Sequence, residues 1–159
     1  MNLADFNALA ESEALEKLRA CCGSSRWATK MAQLRPFETR GELLAAADEV
    51  WNSLGSNDWL EAFARHPRIG ERASGAAAAE QSGMRSAADD VRDQLAKANR
   101  EYEARFGYIY IVCATGRSAE EMLDIVNERL NNDADTELKV AAEEQRKITQ
   151  IRLKTQVEN

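Results

Sequence analysis

Histidine occurs once in this chain of 159 residues, at position 66, and a proline follows it directly. Imidazole is the side chain whose ordinary pKa lies nearest neutral pH, so His66 can accept or deliver a proton without further tuning. Pro67 restrains the backbone beside it. The plainer reading, a single His serving as a helix cap or surface residue, stands next to the catalytic one.

Further along lies the dipeptide Glu80-Gln81, near the expected start of a long helix where free N–H groups favour anions. A carboxylate close to His66 would hold the ring in one tautomer and raise its pKa, as in an acid–base pair. Alone, a Glu in a first turn only offsets the helix dipole. Arg152, with Arg146 and Lys147 nearby, can clamp a carboxylate through two parallel hydrogen bonds, or belong to a solvated face. The stretch "YIYIV" can offer backbone amides to a ligand if it has no strand partner, or be buried filler.

Other chemistries lack their residues. Vicinal Cys21-Cys22 is not a C-x-x-C redox motif, and with Cys113 the thiols form no metal-binding spacing. The loop from Gly70 to Gly75 is not followed by the Lys and Ser or Thr that complete a phosphate-binding P-loop. Ser118 has no adjacent base to make it a nucleophile.

The elements that must position these residues read mostly as helices, because apolar residues recur at three and four. "ESEALEKLRACCG" and "SRWATKMAQL" form two short helices split at Gly23 and Ser24, the second closed by Pro36. In "ETRGELLAAADEVWNSLGS", Leu43, Leu44, Ala47, Val50, Trp51 and Leu54 make one stripe, with Gly55 expected to end the helix in a left-handed turn. "NDWLEAFARH" is a short helix with Arg65 and His66 in its last turn, ended by Pro67.

The longest helix is expected from about Ala77 to Phe106, aligning Val91, Leu95, Ala98, Tyr102 and Phe106 and stopping at Gly107. "GYIYIVCATG" reads as a short extended segment bounded by glycines. Ser118 and Glu121 form a capping box for a helix to Leu130, and a last helix runs from about Thr136 to Thr155. These readings give an all-α single-domain bundle of about seven to eight helices over residues 1–159, with at most one short extended segment.

Composition narrows the partners. Hydrophobic residues at 44% and charged residues at 30% fit a globular protein rather than a disordered one. A net charge of −6 with interspersed Lys and Arg offers no basic face to nucleic acid. No apolar run reaches the roughly 20 residues of a membrane span, neither terminus carries a secretory or peroxisomal signal, and three cysteines suit a reducing compartment, so a cytoplasmic location is expected.

Four strings in order, "FARHPRIGER", "EQSGM", "NREYEARFGYIYIVCATGRSAEEML" and "RLNND…EL…AAEEQRKITQIRL", resemble the family of 2-oxo-4-hydroxy-4-carboxy-5-ureidoimidazoline (OHCU) decarboxylases of urate breakdown, in its bacterial form. The resemblance implies a cofactor-free, all-helical, homodimeric carboxy-lyase that converts OHCU to (S)-allantoin, linked in function to 5-hydroxyisourate hydrolase. It assigns His66 and Glu80 as catalytic. It gives Pro67, Gln81, the backbone at Ile111 and Arg152 to substrate binding, with no metal. The sequence departs from the family at Ala77, where a Ser or Thr is usual; Ser74 or Ser82 are candidate substitutes. Two alternatives remain open at this stage: a paralogue acting on another small ureido or imidazoline acid, and a non-catalytic helical interaction module.

Overall fold

The computed structural model describes residues 1–69 and 89–158. Among them are eight helices: α1 (Leu3–Ala8), α2 (Glu11–Cys21), α3 (Ser25–Gln33), α4 (Arg40–Ser53), α5 (Ser56–Phe63), α6 (Asp89–Phe106), α7 (Ala119–Arg129) and α8 (Ala134–Gln156). The described residues form no sheet; one parallel bridge joins Asn2 to Glu158. The all-α expectation therefore holds, and α8, at 23 residues, is the longest described helix. The stretch 77–88, expected to open the helix ending at Phe106, lies outside the described residues.

The chain divides into two compact units. One comprises Met1–Ala62 with Gln145–Asn159, the other Phe63–Glu144.

In the first unit, the 3.6-residue period of each helix turns one stripe inward. Ala14, Leu18 and Cys21 of α2, Trp27, Ala28 and Met31 of α3, and Leu43, Ala47, Val50 and Trp51 of α4 are all buried. Each large apolar side chain so buried is worth about 1.5–3 kcal/mol. Buried polar groups are paired: the Trp27 indole N–H donates to the Ala47 carbonyl at 3.1 Å, tying α3 to α4. Asn7 exchanges two hydrogen bonds with the Phe37 backbone, at 2.9 and 3.0 Å.

The end of α8 is held by Arg40, which donates to the carbonyls of Val157 (2.8 Å) and Lys154 (2.7 Å), a cation on the negative end of a helix. Upstream on α8, Gln150 donates to the Leu44 carbonyl (2.8 Å) and Asp48 (2.7 Å), and Arg146 pairs with Asp48 at 3.2 Å.

Gly55 does not make the expected left-handed turn. Leu54 leaves α4 in an extended conformation, with φ −84° and ψ 164°, which keeps its side chain in the core. The Gly55 carbonyl then accepts the first N–H groups of α5, from Asp58 at 3.1 Å and Trp59 at 3.2 Å. The glycine starts the next helix instead of closing the last one.

The second unit is built around Leu95, Ala98 and Tyr102 of α6, Met122 and Val126 of α7, and Tyr110, Val112 and Ala114 of the stretch between them. Gly107, at φ +85°, stops α6, and Gly116, at φ +77°, takes the third position of the turn closed by Arg117 N–H to the Ala114 carbonyl. Both are left-handed conformations that glycine adopts without strain. Between them residues 108–114, the stretch read as extended, are neither helix nor strand and make no bridge to another described residue. Ser118 and Glu121 form the capping box that begins α7.

Candidate active site

His66 does not lie in the last turn of α5. The helix stops at Phe63, and the His66 N–H closes a further turn by donating to the Phe63 carbonyl at 3.2 Å. Pro67 has no N–H with which to continue the winding. His66 and Pro67 are both half-buried.

The segment after them is pinned to α6. Arg68 forms a two-pronged pair with Glu103, with Nε–Oε2 at 2.9 Å and Nη2–Oε1 at 2.8 Å. Ile69 is buried, and its carbonyl accepts from the Asn99 side-chain amide at 3.0 Å. On the other side of the turn, the Phe63 ring packs on Tyr108 with centroids 5.3 Å apart. Tyr108 opens the extended segment, so the second unit brings the His66-Pro67 turn and the Ile111 segment onto one aromatic cluster.

With no strand partner among the described residues, the extended segment has two of its backbone groups bound by side chains. The Ile111 carbonyl accepts from Arg129 Nη1 at 2.7 Å. The Cys113 N–H donates to Glu144 at 3.1 Å, and Arg117 pairs with the same carboxylate oxygen at 3.0 Å. The Tyr110 hydroxyl donates to the Met122 carbonyl at 2.9 Å. Burial raises the pKa of Tyr110 despite the opposing charge of Arg129, so its hydroxyl remains a donor.

Arg152 belongs to the first unit, on the turn of α8 after Thr149. Thr149 hydrogen-bonds the Cys22 thiol, and both Arg152 and Glu61 lie close enough to act on it electrostatically. Burial pushes the Cys22 thiol up to about 11; the Ser24 backbone, Thr149 and Arg152 pull it down, and Glu61 adds to the rise. At neutral pH the buried thiol stays protonated. Glu61 takes both donors at the start of α3, the Ser25 N–H and hydroxyl, each at 2.9 Å. A carboxylate there complements the positive end of α3. Nothing in "DWLEAF" marked Glu61, because its partner lies 36 residues away.

Glu80 and Gln81, together with Ala77, Ser74 and Ser82, lie outside the described residues. Among the described residues no group of three or more His, Cys, Asp or Glu side chains is arranged to hold a metal ion, and no helix is long and apolar enough to cross a membrane.

Comparison with known proteins shows similarity along almost the whole chain. The family model described as OHCU decarboxylase matches residues 7–154. The "Uric acid degradation bifunctional protein TTL" of Arabidopsis thaliana is 36% identical over 147 residues, covering 87% of this chain and 45% of its own length. A 2-oxo-4-hydroxy-4-carboxy-5-ureidoimidazoline decarboxylase of Amia calva is 33% identical over 127 residues, covering 75% of this chain and 73% of its own. The chain spans less than half the length of its bifunctional relatives from Arabidopsis thaliana and Bacillus sp. (strain TB-90), at 45% and 32%. A crystal structure of OHCU decarboxylase in the presence of (S)-allantoin superposes with a TM-score of 0.83 at 37% identity, covering 91% of this chain and 99% of that one.

Proposed function

The chain belongs to the OHCU decarboxylase family, and from that premise we propose that it catalyses the cofactor-independent decarboxylation of OHCU to (S)-allantoin in urate breakdown. The observation that carries this reading is the extent of the match, residues 7–154, which includes every string on which the resemblance rested and not the His-Pro pair alone.

The chemistry suits the side chains. In OHCU the carboxylate sits on a ring carbon that also bears a hydroxyl and adjoins the C=N carbon. When the bond to CO2 breaks, its electron pair forms a C=C bond to that neighbour, and the C=N pair moves onto nitrogen, which takes up a proton. A proton then adds to the neighbouring carbon, the hydroxyl loses its proton and becomes the carbonyl, and allantoin results. The substrate is its own electron sink, so the protein's task is to orient the carboxylate, stabilise the developing charge and deliver the proton to one face.

In this reading His66 is the acid–base group, with Glu80 orienting it. Pro67, Gln81 and Arg152 hold the substrate, and the extended segment at Ile111 contributes backbone N–H groups. The pinning of the His66 turn through Phe63, Arg68 and Ile69 supports such a role, because a proton-transfer group must be held in place. The protein acts as a homodimer in the cytoplasm, supplied by 5-hydroxyisourate hydrolase; relatives named as bifunctional proteins of uric acid degradation support that link.

The reading is tested with freshly generated OHCU, measuring CO2 release against spontaneous decay. Release proportional to protein concentration is expected, and a rate equal to buffer contradicts it. If analogues are turned over in place of OHCU, the protein is instead a paralogue, to which the change at Ala77 would contribute. Light scattering on the eluted protein should give twice the 17.7 kDa chain mass.

A further inference from the structure

The string "RLNND…EL" carries family resemblance but no assigned role, and in the structure it forms the most buried charged cluster described. Arg129 is 5% exposed and Glu137 fully buried. Arg129 Nε lies 3.2 and 2.9 Å from the two Glu137 oxygens, and its Nη2 also donates to Glu137. Tyr102 donates its hydroxyl to Glu137, and the Asn132 amide donates at 3.1 Å. The guanidinium stands against the rings of Tyr102 and Tyr110, 5.6 and 4.9 Å from their centroids. Its Nη1 is aimed out of the cluster at the Ile111 carbonyl, 2.7 Å away.

A buried ion pair is weak as a source of stability, since apolar residues of similar volume often do as well or better. What this one supplies, and an apolar pair would not, is a rigid, always-charged donor for a carbonyl in a segment with no strand partner among the described residues. We propose that Arg129, fixed by Glu137, is a positioning residue for substrate binding: it sets the place of the extended backbone at Ile111 and thereby of the N–H groups that meet OHCU. This rests on the reading above in which that segment faces the substrate.

The test uses the full chain with Arg129→Met/Glu137→Gln. This double variant leaves no unpaired buried charge, keeps an oxygen for the Tyr102 hydroxyl, and removes the donor to Ile111. Arg129→Lys, which keeps the charge pair but not the planar fork, is the second variant should the first fail to fold. Each is compared with the parent protein well below both melting midpoints.

The expected result is a KM for OHCU raised tenfold or more in the double variant and severalfold in Arg129→Lys. The kcat changes far less, and the product remains one enantiomer, because the proton donor is untouched. Amide hydrogen exchange in 108–114 should accelerate at least tenfold while exchange in α2 to α4 does not. A folded variant with parental KM and parental exchange overturns the proposal, and so does faster exchange with KM unchanged. If the parent protein itself fails to turn over OHCU, the functional reading falls, and the exchange rates alone then decide whether the pair holds the segment.

Discussion

Glu144 is the second anchor of the extended segment, and its removal has a calculable cost. Its carboxylate is nearly buried, at 8% side-chain exposure, and accepts from the Cys113 N–H and from Arg117, which is 28% exposed. Glu144→Ala leaves a buried backbone N–H without this acceptor, which costs about 1–3 kcal/mol. The lost pairing with partly exposed Arg117 adds up to about 1 kcal/mol. The sum, about 1–4 kcal/mol, corresponds to a melting temperature lowered by about 2–16 °C in a domain of this size.

Glu144→Gln retains an oxygen for Cys113 and loses only charge, so it should cost less than half as much. Thermal unfolding followed by circular dichroism measures both. A drop under about 1 °C for the Ala variant, or equal drops for the two, would refute the reasoning that this side chain serves the segment as a hydrogen-bond acceptor.

Cys22 predicts a pH dependence. Its thiol titrates near 11 in the fold against an ordinary 9.0, so the folded state binds the proton more tightly and the unfolded state releases it first. The contribution to stability, on the order of 3 kcal/mol, is whole below about pH 9 and disappears as pH rises towards about 11. Urea midpoints for Cys22→Ala should therefore fall less steeply over that range than for the parent, and a parallel decline would contradict the shift. At pH 8, iodoacetamide should label Cys22 at least about a hundredfold more slowly in folded than in unfolded protein. Ser118→Ala removes the capping box of α7 and should cost about 1 kcal/mol, with kcat unchanged; a larger loss of activity than of stability would show that α7 does more than support Arg129.

What the sequence made legible is what is decided locally. The stripe from Leu43 to Leu54, the Ser118 capping box and the glycine stops follow from periodicity and backbone sterics, and all but one behave as expected. Gly55 is the exception, because burial of Leu54 outweighed the local preference for a left-handed turn. The end of α5 was placed three residues too late, since helical periodicity does not register where an N–H becomes part of a turn.

The site was legible only in part. His66 with Pro67, the Glu80-Gln81 pair and Arg152 stand out by residue type and position, and the family resemblance supplies the role proposed for each. Arg129, Glu137 and Glu144 carry no mark in the sequence that separates them from other charged helix residues; the tertiary fold, which brings the 108–114 segment beside them, reveals that they are buried. Glu61 was hidden for the same reason, its work being done at the start of a helix far away in sequence.

The central claim is that this chain, through His66, turns OHCU into one enantiomer of allantoin. Its most direct test follows circular dichroism at an allantoin-sensitive wavelength after adding freshly generated OHCU to the parent protein and to His66→Asn at equal folded concentration. Accelerated appearance of (S)-allantoin with the parent, and racemic product at the spontaneous rate with the variant, is the predicted result. Racemic product from the parent, or undiminished (S)-allantoin formation by the variant, would contradict it.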